Sequence, residues 1–377
     1  MTDATRVSPF LGLPGAVEGE GPNAGAPAHY GALVAEQRPL ERGGAVVDLG
    51  NLGVIRLRGA DRLTWLDSLT SGLVRSLAPG ESGETLLLDV QGRIEHAAAV
   101  LDDGESTWLV TEGTRADEFA SWLDRMRFLL DVRVERADEI VAAVGVFGDR
   151  ELGAAAPNGV PLVWHDEWAS TRVGGVSYAT TDAHPGRDWD LHVHLLERPA
   201  LEALAERVRV GDVSAAGIDA LEALRIAAWR PRLARDVDSR AIPHELDWTR
   251  SAVHLEKGCY RGQETVAKVH NLGRPPRRLV HLDLDGSLGA LPAAGAVLHV
   301  AGDPDRAVVG QITSIGVHHE NGPIALALVK RRLDPEAVLA ADLDGEGITA
   351  AQTAIVSPEA GHAADVPRLP RLGRRSG

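Results

Sequence analysis

The 377-residue sequence predicts an α+β fold in which a duplicated βαβ-type unit precedes a small β-barrel. Strand-like and helix-like periodicities alternate in mixed order from residue 45 to about 150, as an α+β domain requires. The same order recurs between about 173 and 208. After Pro275-Pro276 the pattern changes to short alternating strands separated by turn residues, which reads as a barrel.

Residues 1–28 are rich in Gly, Pro and Ala without periodicity and are expected to form a mobile tail. Strands at 45–48 and 54–57 precede a helix whose Leu63, Leu66, Leu69 and Leu73 recur at spacings of three and four. Strands at 85–90 and 94–101 meet across Gln91-Gly92, and a third, 107–111, follows Asp102-Asp103-Gly104. A helix over 115–128 leads to strands at 132–135 and 140–147. A second strand pair, 173–179 and 190–195, and a helix near 200–208 repeat the theme. Ser214 is a plausible N-cap for a helix carrying Ile218, Leu221 and Leu224. Residues 229–250 form a long Pro- and Arg-bearing connection, of a length usually functional or disordered. Strands at 279–284, 296–300, 308–317, 324–329 and 354–356 make up the barrel. The resulting division is a tail over 1–28, an α+β region over 29–278, a barrel over 279–357 and a second tail over 358–377.

Composition limits the function. A single cysteine permits no intrachain disulfide, and neither a signal-peptide run nor an 18-residue apolar stretch is present, so a soluble, cytoplasmic protein is expected. The net charge of −15 argues against general nucleic-acid binding, which depends on pooled Lys and Arg. Residues 225–278 are the exception, holding 12 Lys/Arg against 6 Asp/Glu. Such a basic island fits an anionic small molecule or a docking surface, or equally a set of arginines paired with acidic neighbours.

The lone Cys259 lies within Lys257-Gly258-Cys259-Tyr260-Arg261-Gly262-Gln263-Glu264. The residues from Gly262 onward read as a helix start with an acidic first turn. A thiol just ahead of such a start, between two cations, has its thiolate favoured. The position is compatible with a nucleophile, a redox-sensitive thiol or a metal ligand, while a free intracellular cysteine is most often a small buried hydrophobe. Alone, it supplies neither the ligands of an iron–sulfur cluster nor those of a structural zinc.

Three ordered segments carry a resemblance: Leu224-Arg-Ile-Ala-Ala-Trp-Arg-Pro-Arg with Ala241-Ile-Pro-His-Glu, the cysteine motif running on to Thr-Val-Ala, and Asn271-Leu-Gly-Arg-Pro-Pro-Arg-Arg-Leu. Together they resemble the YgfZ family of folate-binding proteins, relatives of the glycine-cleavage T-protein aminomethyltransferase. A weaker likeness extends over about residues 40–357. The resemblance implies two interleaved ferredoxin-like units forming a folate-binding region over 29–278, with a C-terminal barrel and a central channel for tetrahydrofolate. It also implies an accessory role in assembling or repairing iron–sulfur clusters of client enzymes, including tRNA-modifying ones, with Cys259 as the working group. Arg225, Arg235, Lys257 and Arg261 are candidates to meet the anionic folate tail.

The alternative is a folate-dependent aminomethyl or methyl transferase. Against it, the chain has Gly92-Arg-Ile-Glu-His96 where T-proteins resemble Gly-Val-Ile-Asp-Asp. It also has Ala227 where they carry a pterin-binding glutamate. Both changes remove carboxylates suited to acid–base assistance. An RNA-binding module built on 225–278 is a third reading, disfavoured by the acidic remainder. The expected partners are therefore a folate and iron–sulfur client or assembly proteins, with no membrane. Gly19-Glu-Gly21-Pro-Asn-Ala24 imitates a dinucleotide fingerprint without the strand it requires. His192 with His194, and His318 with His319 or Glu320, could ligate metal, but the sequence places no third ligand, so no metal is expected. Asp188 and Asp190 read as an exposed strand face, and Trp65 and Trp122 as core.

Overall fold

Two five-stranded sheets face each other across the centre of the molecule, and the alternation of side chains along each strand decides what its two faces cover. The computed structural model describes residues 8–287, 289–343 and 346–363. In chain order it opens with a 3-10 turn Pro9–Gly12, β1 (Val17–Glu18), a 3-10 turn Gly21–Asn23, β2 (Pro27–His29) and α1 (Gln37–Glu41). Then come β3 (Ala45–Asp48), β4 (Leu52–Arg58), α2 (Arg62–Leu69), β5 (Ser82–Leu88), β6 (Ile94–Asp102), β7 (Ser106–Glu112), α3 (Gly113–Met126) and β8 (Arg133–Arg136). β9 (Val141–Phe147), β10 (Val163–His165), β11 (Leu191–Glu197), α4 (Arg198–Arg209), β12 (Ser214–Ala216), α5 (Ile218–Ala227), α6 (Leu233–Asp236) and α7 (Gln263–Asn271) complete the α+β part.

The first sheet has the order β5-β6-β7-β4-β8 and the second β10-β11-β9-β3-β12. The two interleave in sequence, because β3 precedes the first sheet yet pairs with β9 and β12 of the second. On β6, Ala97 and Ala99 face the centre while Ala98 and Val100 pack with Phe119 and Leu123 of α3. On β11, Leu191, Val193 and Leu195 face the centre. Beyond the second sheet, Val144 and Val146 pack with Leu201 and Leu204 of α4. The result is a helix–sheet–sheet–helix sandwich with its main core between the sheets.

The barrel follows. β13 (Arg277–Leu284), β14 (Val297–Val300), β15 (Gly310–His318), β16 (Gly322–Lys330), β17 (Leu339–Leu343) and β18 (Glu346–Ala354) close in the order β13-β16-β15-β14-β17-β18. Closure leaves no open edge. This is the α+β architecture with a C-terminal barrel that the sequence predicts, except that its pattern does not mark β17 and places the last strand at 354–356, where β18 has already ended at Ala354.

Several local expectations change. The α2 stripe stops at Leu69, since Thr70 is extended (φ −123°, ψ 164°) and Leu73 falls outside the helix. Residues 173–179 form no strand apart from a single bridge from Ala179 to Val356. Their backbone is instead taken up by the 247–250 loop: Val176 N–H donates to Thr249 O, and Tyr178 N–H to the Asp247 carboxylate. The strand that pairs with β11 is β10. Ser214 caps nothing, because it begins β12, which runs parallel to β3, and Gly217 occupies the N-cap of α5.

Residues 8–28 are ordered rather than a tail. Phe10 is fully buried among Val46, Val144 and Leu201, which composition could not reveal. At the other end, Ser357 N–H donates to Tyr178 O and Ala360 is buried. Residues 1–7 and 364–377 of the two expected tails lie outside the described residues. The connection 229–250 is likewise ordered and largely buried, with Trp229 and Asp247 in the left-handed region (φ 60° and 54°).

Candidate functional site

A cavity of about 170 Å³ lies between the sheets. Its walls are apolar: Leu52, Ala97, Ala99 and Val110 from the first sheet face Leu191 and Val193 from the second, with Ile218 and Leu221 of α5 closing one side. Trp164, Trp189 and Trp248 add flat aromatic surface. A concave apolar site with a few directed polar groups is the usual form of a small-molecule pocket.

Those polar groups are carboxylates and guanidiniums in register. Glu84 on β5 accepts from Arg230 Nη2 (2.6 Å), Trp248 Nε1 (2.9 Å) and Ser251 Oγ (2.6 Å). Asp166 accepts from Arg230 Nε at 3.0 Å and Trp189 Nε1 at 2.8 Å. The Arg230 guanidinium lies over the rings of Trp168 and Trp248, 5.0 and 5.7 Å from their centroids. Such stacking lets a buried cation keep favourable contacts on its faces as well as its edges.

Arg232 clamps Glu112 through two bonds of 2.8 and 2.9 Å and reaches Glu222 at 3.0 Å. It also donates to Asn23 Oδ1 at 2.7 Å, which ties the 3-10 turn Gly21–Asn23 to this side of the cavity. Burial opposes the charge on Glu222, yet Arg225 and Arg232 outweigh it and hold its carboxyl well below the usual range. Glu84, Glu112, Asp166 and Glu222 are therefore each partnered by arginine.

The cysteine loop lies elsewhere. Lys257 is buried and its ammonium caps the end of α2, donating to Asp67 O, Thr70 O and Gly72 O at 2.7, 2.9 and 2.5 Å. The Asp67 carboxylate is 3.1 Å away. Tyr260 is also buried, and burial raises its phenol. Gly262 has φ 84° and stands at the N-cap of α7, where the close approach of Asp89 O leaves no room for a Cβ. The expected helix start with Glu264 in its first turn is present. Between these anchors Cys259 is exposed, so the buried-hydrophobe reading does not apply.

The four arginine and lysine candidates do not converge. Arg225 lines the cavity, but its guanidinium is spent on Glu222, Asp236 and Ser314 Oγ. Arg235 lines a separate cavity of about 570 Å³ between the 234–240 segment and the barrel, together with Arg240, Arg277 and Lys330. Arg261 pairs with Glu95 and lies over Trp122. Lys257 holds α2. The basic island is thus mostly a set of internal ion pairs.

The two departures at residues 95 and 96 take different faces of β6. Glu95 points with Ala97 and meets Arg261, whereas His96 packs on the Phe119 ring (centroids 4.6 Å apart) on the helix side. Burial holds the His96 imidazole down at about 4, so it is neutral near pH 7. Residues that sequence reasoning left unassigned, Glu84, Glu112, Asp166, Glu222, Arg230 and Arg232, form the polar lining. The excess of tryptophan and the Arg230-Pro-Arg232 run were the signals available for them.

Residues 15–151 match the family model described as GCVT N-terminal domain. The aminomethyltransferase of Synechococcus sp. (strain RCC307) is 27% identical over 339 residues, covering 87% of this chain and 88% of that protein. That of Nostoc sp. (strain PCC 7120) is 22% identical over 322 residues, with 81% and 82% covered. The crystal structure of the glycine cleavage system aminomethyltransferase T from Bartonella henselae superposes with a TM-score of 0.69 at 19% identity, covering 91% of this chain and 93% of that one. The fold is therefore that of the aminomethyltransferases, and sequence similarity to them runs through both sheets and into the barrel.

Proposed function

We propose that the chain binds a reduced folate in the central cavity and takes part in folate-dependent one-carbon transfer. The observation that carries this reading is the cavity itself: flat tryptophan and aliphatic walls with pre-oriented charged groups, set between the sheets of a chain similar to aminomethyltransferases over 87% of its length. A flat, hydrogen-bonding pterin suits such walls, and buried, preformed ion pairs keep the polar groups oriented without reorganisation.

A second reading, the YgfZ-like accessory to iron–sulfur enzymes working through Cys259, draws on a different observation. Each carboxylate among the described cavity-lining residues has an arginine partner, which leaves none of them free as a base, while the thiol is presented to solvent on a loop anchored by Lys257 and Tyr260. Acid–base assistance requires a group within reach of the reacting atom and in the right protonation state.

One titration separates these readings. Trp164, Trp189 and Trp248 line the cavity, so tetrahydrofolate binding is expected to change intrinsic fluorescence, with equal affinity in the wild type and Cys259→Ala and loss in Ala97→Trp, which fills the space. Turnover of an aminomethyl or methyl donor with tetrahydrofolate is then measured on the same samples. Binding without turnover across donors ends the transferase reading and leaves the accessory one. No binding ends both.

A further inference from the structure

We propose a divalent transition-metal site at the junction of α1 and the barrel, formed by Glu41, His318 and His319. One ligand atom from each of these three side chains lies within 4.8 Å of the others. Glu41 is 278 residues from His319 in sequence, yet its Oε2 is 3.1 Å from His319 Nε2. The His318 and His319 rings lie side by side with centroids 4.5 Å apart.

The arrangement is built, because a buried side chain fixes it. Gln37 donates through Nε2 to Val317 O at 2.7 Å and accepts the His319 N–H through Oε1 at 2.8 Å, clamping the end of β15 against α1. Glu41 follows four residues later, on the same helix face, and so falls over the His319 ring. Arg38 adds an ion pair to Glu320 at 3.6 Å. The His319 side chain is only 5% exposed, and its Nδ1 has no hydrogen-bond partner. Nδ1 can therefore meet a cation without breaking a protein hydrogen bond.

Two imidazoles and a carboxylate are the donor set of Zn²⁺ and its neighbours Co²⁺ and Ni²⁺, rather than of Mg²⁺ or Ca²⁺, which take oxygen. Three protein donors leave coordination positions for water. The cavity of about 500 Å³ lined by Val34, Arg38, Arg42 and His319 supplies a path for entry. A cation held here ties the N-terminal helix to the β15–β16 turn, so its binding free energy adds to the stability of the docked barrel.

The test uses the full chain without an affinity tag, in the wild type and in the Cys259→Ala background, so that the exposed thiol is not the ligand. Calorimetry with Zn²⁺ and the visible absorption of Co²⁺ give stoichiometry and geometry. One equivalent is expected, with a rise in Tm on adding Zn²⁺ and no competition from Mg²⁺. Glu41→Gln, which keeps the exposed side chain's shape, and His318→Asn should each weaken binding by about tenfold or more. Circular dichroism confirms that both variants fold. The proposal is overturned if no stoichiometric binding occurs, if both variants bind as the wild type does, or if binding is lost instead in His165→Asn or His192→Asn, whose rings stack across β10 and β11 with centroids 4.0 Å apart.

Discussion

Lys257 carries more of the cysteine loop than its neighbour Cys259 does. Its ammonium satisfies three carbonyls at the end of α2 that have no helical partner and neutralises the buried Asp67. Burial disfavours the Asp67 carboxylate, but the Val74 N–H and the Lys257 charge overcome it and hold its pKa below the ordinary value. Replacing Lys257 by Met leaves Asp67 with the Arg75 guanidinium and the Val74 N–H but without its buried ammonium partner, and should cost about 3–5 kcal/mol near neutral pH. A folded-state pKa that is depressed stabilises above the unfolded value and is lost as pH falls through the folded one. The difference between the variant and the wild type should therefore shrink below about pH 4, which urea titrations at several pH values would read. Faster modification of Cys259 by a thiol reagent should accompany it, and an unchanged stability gap at low pH would count against the Asp67 linkage. The sequence showed the Gly262 helix start because that signal is local. It could not show the role of Lys257, whose acceptors are 185 to 190 residues away.

At the scale of elements, the N-terminal segment was the hardest to read. Its Gly, Pro and Ala content satisfies every compositional mark of a tail, yet the segment works through a few side chains placed on a finished surface. Phe10 fills a gap between the second sheet and α4, and Asn23 receives Arg232 at the side of the cavity. Phe10→Ala should destabilise by about 3–5 kcal/mol, the usual cost of emptying a buried aromatic site. A loss below about 1 kcal/mol by urea denaturation would show that the segment only lies against the surface. Strands β4 to β7 were legible because their alternation is enforced by two different cores. Residues 173–179 alternate as well, but Gly174 at φ 77° and the side-chain acceptor of Asp247 draw their backbone away from any sheet. Alternation reports a strand only where a neighbouring strand is free to pair.

For the whole molecule, the question is how the barrel is held to the sandwich, and Arg225 stands at that joint. It binds Glu222 in its own helix, Asp236 in the connection, Arg230 O and Ser314 Oγ on β15 of the barrel. Asp236 in turn accepts from Ser314 and Thr313, so the network crosses the boundary twice. Arg225→Met removes the cation and leaves two buried carboxylates short of their partner, a loss of about 3–5 kcal/mol. Ser314→Ala removes two hydrogen bonds, one accepted from Arg225 and one donated to Asp236, and should cost about 2–3 kcal/mol. The eight tryptophans all precede β13, so fluorescence follows the sandwich alone, whereas far-ultraviolet circular dichroism also follows the barrel. In the wild type the two probes should give one coincident unfolding transition, as a cooperative unit does. In Arg225→Met they should separate, because the barrel core of Val280, Leu282, Ala325 and Ile348 is complete in itself and outlasts the joint. Coincident transitions in Arg225→Met would place the coupling in the apolar contacts of α5 with β15 instead, such as that of Ala223 and Ile226 with Gly316.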